Sequence, residues 1–470
     1  MTTSSKSNPK ALQLIQEYAQ RLRFNTLADY DPILSAIGDA QVVMIGEASH
    51  GSHEFYFHRA EITKRLIQEK GFTIVACEAD WPPAYRVNRW VKGISLSTIE
   101  DADDALKDFT RFPSWMWRNT VIVDFITWLR KYNDQLDEQK KKIGFFGIDL
   151  YSLQSSREEV IKYLEKNAPD LVKIARKNYG CFEKYSDEHQ YGICAATNLN
   201  SSCEKEAIKV LTKMLERHAQ LIAKEKTDNM EVDESFYAME NAKIVREAEK
   251  YYRHMFEGGQ ITWNIRDTHM CDCLQDLLNH CGPGTKAVIW AHNSHVGDAR
   301  ETESNRARKI NIGQLVRERF GIENTYNIGF TTYTGTVTAA DSWDMDPDFK
   351  HVRPSLNESI EFLLHDALIK NSTMSSDGQY FLLFRSNNSS VEISKELNNE
   401  LHKKRLERAI GVIYRPHTER QSHYFNASIS TQFDCIIHVE MTRALRPLEI
   451  HPTWAQAEKD HVPDTFPMAV

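Results

Sequence analysis

The chain has 470 residues, with 58 Lys+Arg against 66 Asp+Glu, a formal net charge of −8, 41% hydrophobic and 26% charged residues. That balance excludes a disordered, collagenous or low-complexity chain, and its mildly acidic sign excludes a nucleic-acid binder driven by phosphate contacts. At about 100–200 residues per domain, the length fits roughly two to four domains, or one large α/β domain with an insertion.

The opening MTTSSKSNPKALQLIQEY has no basic segment followed by an apolar one, so no signal peptide is expected. No run reaches the roughly 18 apolar residues of a membrane span, and DTFPMAV is not a lipidation or retention signal. The triplet Asn371-Ser372-Thr373 carries no weight without secretion. The eight cysteines are scattered, and Cys271-x-Cys273 lacks zinc-ribbon spacing. Reduced thiols in a cytoplasmic protein are expected.

Residues 8–23 carry Leu12, Ile15, Tyr18 and Leu22 at helical spacing, which predicts a lead helix. QVVMIG (41–46) is a β-branched apolar run that suits a strand buried on both faces. From His53 to Lys70, Phe55, Arg59, Ile62 and Leu66 share one helical face, and Gly71 is the stop signal. FTIVACEAD predicts a second strand, 121–132 a helix and KIGFFGIDL (142–150) a third strand. This β-α-β-α-β order implies a parallel sheet. Residues 151–260 break the rhythm, with helices predicted at 155–177, 203–226 and 233–257 and a polar loop at 181–202. A helix at 264–281 then leads through Gly282-Pro283-Gly284 to a fourth strand, KAVIWAH, and NTYNIGFTTY is a fifth. A helix near 356–368 starts with a capping box of Ser355 and Glu358. GQYFLLF, AIGVIY and DCIIHVE are further candidate strands. The expected fold class is α/β: a mostly parallel central sheet flanked by helices, with 1–150 and 262–470 as the core and 151–261 as a helical insertion capping the strand-end cleft.

Each of the four best strands ends in an ionisable residue: Glu47 with His50 behind it, Glu78 with Asp80, Asp149, and His292 with His295. Ligands bind outside the carboxyl ends of the strands in open parallel sheets. The strand-end carboxylates and three histidines are therefore expected to converge on one crevice. Arg59 sits on the apolar face of its helix, so it needs an anionic partner, and Glu47 and Glu78 are the candidates. Asp149 is equally well read as a cap for the following helix. Trp115 and Trp117 fit packing better than a substrate platform, and Tyr414, Arg415, His423 and Tyr424 fit core, surface or crevice rim. His53-Glu54-x-x-x-His58 is not HExxH, because its histidines diverge by about 140° around a helix. There is no G-x-S-x-G elbow, Walker A loop or G-x-G-x-x-G turn, so Ser49 and Ser294 lack the setting of a serine nucleophile.

Gly46-Glu47-Ala48-Ser49-His50-Gly51, with Arg59 and Glu78 downstream, resembles the erythromycin esterase family. Trp290-Ala291-His292-Asn293-Ser294-His295 is similar to that family's second histidine motif, and Asn264-x-Arg266-Asp267 and Tyr414-Arg415-Pro416 also fit. The resemblance spans about residues 40–450. Ser49 stands where many members have Thr, and the hydroxyl is kept. The resemblance implies a hydrolase of an ester or lactone, a mixed α/β core, and a catalytic set of Glu47, His50, Arg59, Glu78, His292 and His295. It does not imply a macrolide substrate.

The expected chemistry has His50 as general base on a water, Glu47 or Glu78 orienting it, Arg59 holding the carboxylates, and His292 or His295 donating to the oxyanion. No cofactor is expected, and the partner is a small-molecule ester or lactone, not nucleic acid or membrane. Oligomeric state stays open. Two alternatives use the same cluster: a metal-dependent hydrolase, and a binding protein for a small molecule or saccharide precursor without turnover.

Overall fold

The structure is a computed structural model that describes residues 8–24, 26–94, 99–137, 139–197, 202–224, 229–371 and 377–461. The two ends of the chain and most of the Asn371-Ser372-Thr373 triplet lie outside the described residues. The strands in chain order are β1 (Gln20–Arg21), β2 (Val42–Ile45), β3 (Ile74–Asp80), β4 (Gly144–Asp149), β5 (Ala287–Trp290), β6 (Thr325–Ala339), β7 (Asp348–Val352), β8 (Gln379–Leu383), β9 (Arg405–Arg408), β10 (Tyr424–Ala427) and β11 (Cys435–Thr442).

Nine of them form one sheet in the order β1-β8-β11-β6-β2-β5-β3-β4, with β7 paired to β6; β9 and β10 form a separate ribbon. β11, β6, β2, β5, β3 and β4 run parallel, while β1, β7 and β8 are antiparallel additions. The mostly parallel sheet flanked by helices expected from the sequence is present. Its central strands are buried on both faces because alternate residues feed two cores. Val43, Ile45, Val75, Cys77, Val288 and Trp290 enter one. Val42, Met44, Ile74, Ala76, Ala287 and Ile289 enter the other. Register fixes the functional edge: Ile45 and Cys77 both pair with Trp290. The residues just past those positions therefore emerge side by side.

The helix His53–Lys70 buries Phe55, Arg59, Ile62 and Leu66, and ends where Gly71 takes φ 71°, a left-handed conformation that glycine adopts freely. Gly51 is required for another reason: a Cβ there would lie 1.8 Å from the Thr338 carbonyl oxygen. Residues 150–265 contribute a third hydrophobic cluster of their own. This helical layer is joined to the core by contacts such as Trp81 Nε1 donating to the Tyr237 carbonyl at 3.3 Å.

Several expectations need correction. The lead helix stops at Tyr18, and Gln20–Arg21 becomes an edge strand. The helix expected over 155–177 is two helices, Leu153–Asn167 and Pro169–Tyr179, because Pro169 cannot continue the first and starts the second. The expected loop at 181–202 contains a helix, Glu188–Thr197. The later helix runs from Ile360 to Ile369 and is capped by Ser359 accepting from Phe362 N, so the Ser355–Glu358 box does not form. AIGVIY is not a strand. It crosses the ends of other strands through single bridges at Ile410 and Ile413. Not all thiols are reduced: Cys181 and Cys203, with Cα atoms 5.8 Å apart, form a disulfide. Among the described residues, no helix is long and apolar enough to cross a membrane.

Candidate active site

The strand order seats β5 between β2 and β3. The segment Ala291–His295 thus lies between the loop carrying Glu47 and His50 and the end of β3 carrying Glu78. Gly46 permits this contact, since a Cβ there would come within 2.2 Å of Asn293 Oδ1. Asn293 N in turn donates to the Glu47 carbonyl at 2.8 Å.

His50, Glu78, His292 and His295 line one cavity of about 320 Å³. The His50 and His292 rings are 4.8 Å apart. His50 Nδ1 lies 2.9 Å from Glu47 Oε1, and the Tyr56 hydroxyl fixes the His50 carbonyl at 3.0 Å. If Nδ1 carries the proton toward the carboxylate, Nε2 keeps its lone pair for the cavity. Glu47 Oε2 is 2.8 Å from Arg59 Nη2, both side chains being 1% exposed. The guanidinium makes no aligned hydrogen bond there. It rests instead on the rings of Tyr56, at 4.2 Å, and Trp290, at 5.1 Å.

Glu78 is not a partner of Arg59, as the sequence suggested. Its Oε1 accepts from Arg266 Nη2 at 2.5 Å, and Oε2 accepts from the His292 backbone N–H at 2.9 Å. Arg266 also holds Asp149 through two bonds of 2.9 and 2.6 Å, and its Nη1 is 3.0 Å from His295 Nε2. His295 Nδ1 faces Asp267 at 2.9 Å, and Trp263 stacks on the imidazole at 4.5 Å. Asp149 does not cap the following helix, which starts at Leu153 behind Ser152; it accepts from Leu150 N at 2.8 Å in the connecting loop.

Burial opposes ionisation of Glu78, but His295, Arg266 and His50 together hold its carboxyl well below the usual range. Asp149 is likewise lowered: burial opposes this, and Arg266 outweighs it. Burial also works against charge on His295, yet the Asp267 and Glu78 carboxylates raise its pKa. His292 goes the other way. Burial, then the His50 charge, push its pKa well below the ordinary value, so it is neutral at physiological pH. Its Nδ1 accepts from Ser294 N at 3.2 Å and lies 2.8 Å from Ser294 Oγ. The proton of neutral His292 therefore belongs on Nε2, a buried atom without a hydrogen bond of good geometry.

The remaining candidates separate. Ser49 Oγ bonds to Ser52 Oγ in the protein interior and does not line the cavity. Ser294 does line it, but no carboxylate bonds the far nitrogen of His292, so a Ser–His–acid relay is incomplete. Trp115 is buried packing, while Trp117 packs in the core and also touches the cavity. The tail reaches the cavity through Ala409, Gly411 and Val412, not through Tyr414 or His423. The sequence argument did not place Arg266 and Asp267. Their signal was the Asn264-x-Arg266-Asp267 motif on the helix Gly259–Cys281, in which Asp267 is buried and Arg266 half-buried.

The erythromycin esterase family pattern matches residues 67–442. The chain belongs to the erythromycin esterase family. The matched span includes Glu78, Arg266, His292 and His295 and begins after Glu47, His50 and Arg59. Erythromycin esterase type II of Escherichia coli is 24% identical over 324 residues, covering 66% of this chain and 73% of that protein. A crystal structure described as a succinoglycan biosynthesis protein superposes with a TM-score of 0.73 at 22% identity, over 95% of this chain and 100% of that one. A mutant of erythromycin esterase EreC in its open conformation gives 0.61 at 16% identity, over 95% and 99%. The family supports a hydrolase, and the two structures share the fold.

Proposed function

We propose that the protein hydrolyses a carboxylic ester or lactone by general-base activation of water at His50, without a covalent serine intermediate. The observation that carries this reading is the chain Arg59–Glu47–His50 ending at a cavity shared with His292 and His295. Glu47 orients the imidazole and stabilises the cation formed when His50 takes the proton of water, and Arg59 faces the other oxygen of Glu47. The hydroxide attacks the carbonyl carbon. His292 or His295 donates to the oxyanion, a contribution typically of about 3–4 kcal/mol. Asp267 and Glu78 favour the charged form of His295, which would add positive field. The proton on His50 then passes to the leaving alcohol as the tetrahedral intermediate collapses.

A metal is not needed for this scheme. The oxygens of Glu47 face His50 and Arg59, and those of Glu78 face Arg266 and the His292 N–H, so their lone pairs are directed at protein cations and donors. Among the described residues no group of three His, Cys, Asp or Glu has the geometry to hold a metal ion.

The test is His50→Ala, assayed on a panel of aryl esters and lactones beside wild type. Turnover is expected to fall by at least about 10³-fold, with the melting temperature within a few degrees of wild type. Retained turnover in a folded variant would remove His50 from the role.

A further inference from the structure

A second, larger cavity of about 720 Å³ opens between the helix Trp81–Val91 and the helical layer. It shares Asp80, Arg111 and Tyr151 with the histidine cavity, so a single layer of side chains separates the two. Tyr151 joins them physically: the guanidiniums of Arg266, in the histidine site, and of Arg111 each lie 4.9 Å from its ring. Arg111 is clamped to Asp80 through two bonds of 2.7 and 2.8 Å.

We propose that this cavity is the second half of the substrate site and that it receives a neutral, polyhydroxylated group, such as a glycosyl unit, carried by the ester or lactone. The inference rests on the hydrolase reading above for the scissile end only.

The lining discriminates among ligand classes. No Leu, Ile, Val, Met, Phe or Trp is among the described residues that line it. Its apolar surface comes from tyrosine rings and two prolines, not from aliphatic side chains that would grip an acyl chain. An isolated ion would find little net field, because the lining carries five cations and six carboxylates, and eight of these face one another: Lys162 and Glu159 at 2.5 Å, Lys166 and Glu234 at 2.9 Å, Arg111 and Asp80 at 2.7 Å, and Arg86 and Asp108 at 3.9 Å. Such pairs still offer fixed donors and acceptors to hydroxyl groups, and hydrogen bonds to charged groups are the stronger kind. Tyrosine supplies the other element. Tyr85 and Tyr237 stack at 3.8 Å and 14°, and both line the cavity. Aromatic faces take the C–H face of a sugar ring while tyrosine hydroxyls stay polar. The histidine cavity is of another character, walled by Phe112, Trp117, Trp263 and Trp343, which suits the acyl portion. The scissile carbonyl stays at His50, and the alcohol portion reaches the larger cavity past Tyr151 and Arg111.

The experiment is saturation-transfer NMR on the full chain with maltotriose, trigalacturonate and decanol as probes, followed by kinetics on O-acetylated maltotriose and 4-nitrophenyl acetate. Maltotriose is expected to receive transfer, and the other two are not. Tyr85→Ala should weaken that signal about tenfold, and Lys162→Ala, whose side chain is 67% exposed and so tolerates loss without unfolding, about threefold. KM for the acetylated sugar should be lower than for the aryl ester, and Tyr85→Ala should erase the difference. Equal transfer to maltotriose in wild type and both variants, no transfer at all, or preference for trigalacturonate or decanol would overturn the proposal. Failure of the hydrolase reading looks different: maltotriose binds, and neither ester is turned over.

Discussion

Glu407 gives a quantitative test of how this protein tolerates ionisable groups behind its site. It lies on β9 and is 1% exposed, with Oε1 3.5 Å from Asn293 Nδ2 and Oε2 without a partner. Burial first, and the charge of buried Glu361 second, push its pKa up to about 8, while the nearby Gln432 and Asn293 side chains oppose the rise. Glu361 is itself held by Arg408 N at 2.8 Å, and the Arg408 guanidinium is engaged by backbone carbonyls and Glu419. The sign follows from linkage. Folded Glu407 keeps its proton at pH 6–7, whereas the unfolded chain loses it near pH 4.5. Its favourable contribution is complete below about pH 4 and is lost as pH rises to about 8, at about 1.4 kcal/mol per pH unit, or roughly 3–5 kcal/mol in all. Glu407→Gln preserves the shape and removes the titration. Thermal unfolding of both proteins from pH 5 to pH 9 should give similar midpoints near pH 5 and a more stable variant above pH 8, by roughly 2–4 kcal/mol. Parallel curves across that range would refute the argument.

Arg266→Gln should be among the most damaging single changes at the site. It leaves Glu78 and Asp149 buried without their cation, which costs about 3–5 kcal/mol and is read as a lowered denaturation midpoint with loss of turnover; a variant of wild-type stability would contradict the role given to Arg266. Prolonged dialysis against a chelator should leave ester turnover unchanged, because the Glu47 and Glu78 oxygens already face Arg59, His50 and Arg266. Activity lost to the chelator and restored by an added metal would favour a metal-dependent hydrolase.

The legible part of the fold was the part in which local pattern and tertiary environment agree. β2, β3, β4 and β5 are apolar runs buried on both faces; β3 and β4 end on Asp80 and Asp149, and β2 and β5 stop two residues before Glu47 and His292. Arg59 stood out as a charge on an apolar helical face. Its partner was half legible: Glu47 lies at the adjacent strand end, but the assignment of Glu78 required knowing that Arg266 enters from the helix Gly259–Cys281. Nothing local distinguishes Arg266 there, since its burial comes from packing against strand ends more than 100 residues earlier. The run AIGVIY failed for the converse reason. Its composition suits a strand, yet its neighbours are strand ends, which offer single bridges instead of a ladder.

The site contains two guanidinium–carboxylate–histidine units of unequal charge, and that inequality is what could divide the labour among three similar side chains. Around His50, Glu47 is balanced by Arg59 alone. Around His295, three carboxylates, Glu78, Asp149 and Asp267, are opposed by Arg266, so the local excess of negative charge favours a proton on His295. His292 sits beside His50 with no carboxylate bonded to its ring and stays neutral. The lowered pKa of His292 and the raised pKa of His295 thus arise in identical imidazoles through their neighbours, and the roles proposed above rest on that contrast. Exchanging the environments should exchange the behaviour: Asp267→Asn removes the strongest support for charge on His295, and its titration by proton NMR should move below the wild-type position. If that titration is unchanged, the charge on His295 has another origin, and the asymmetry argued here does not set the roles.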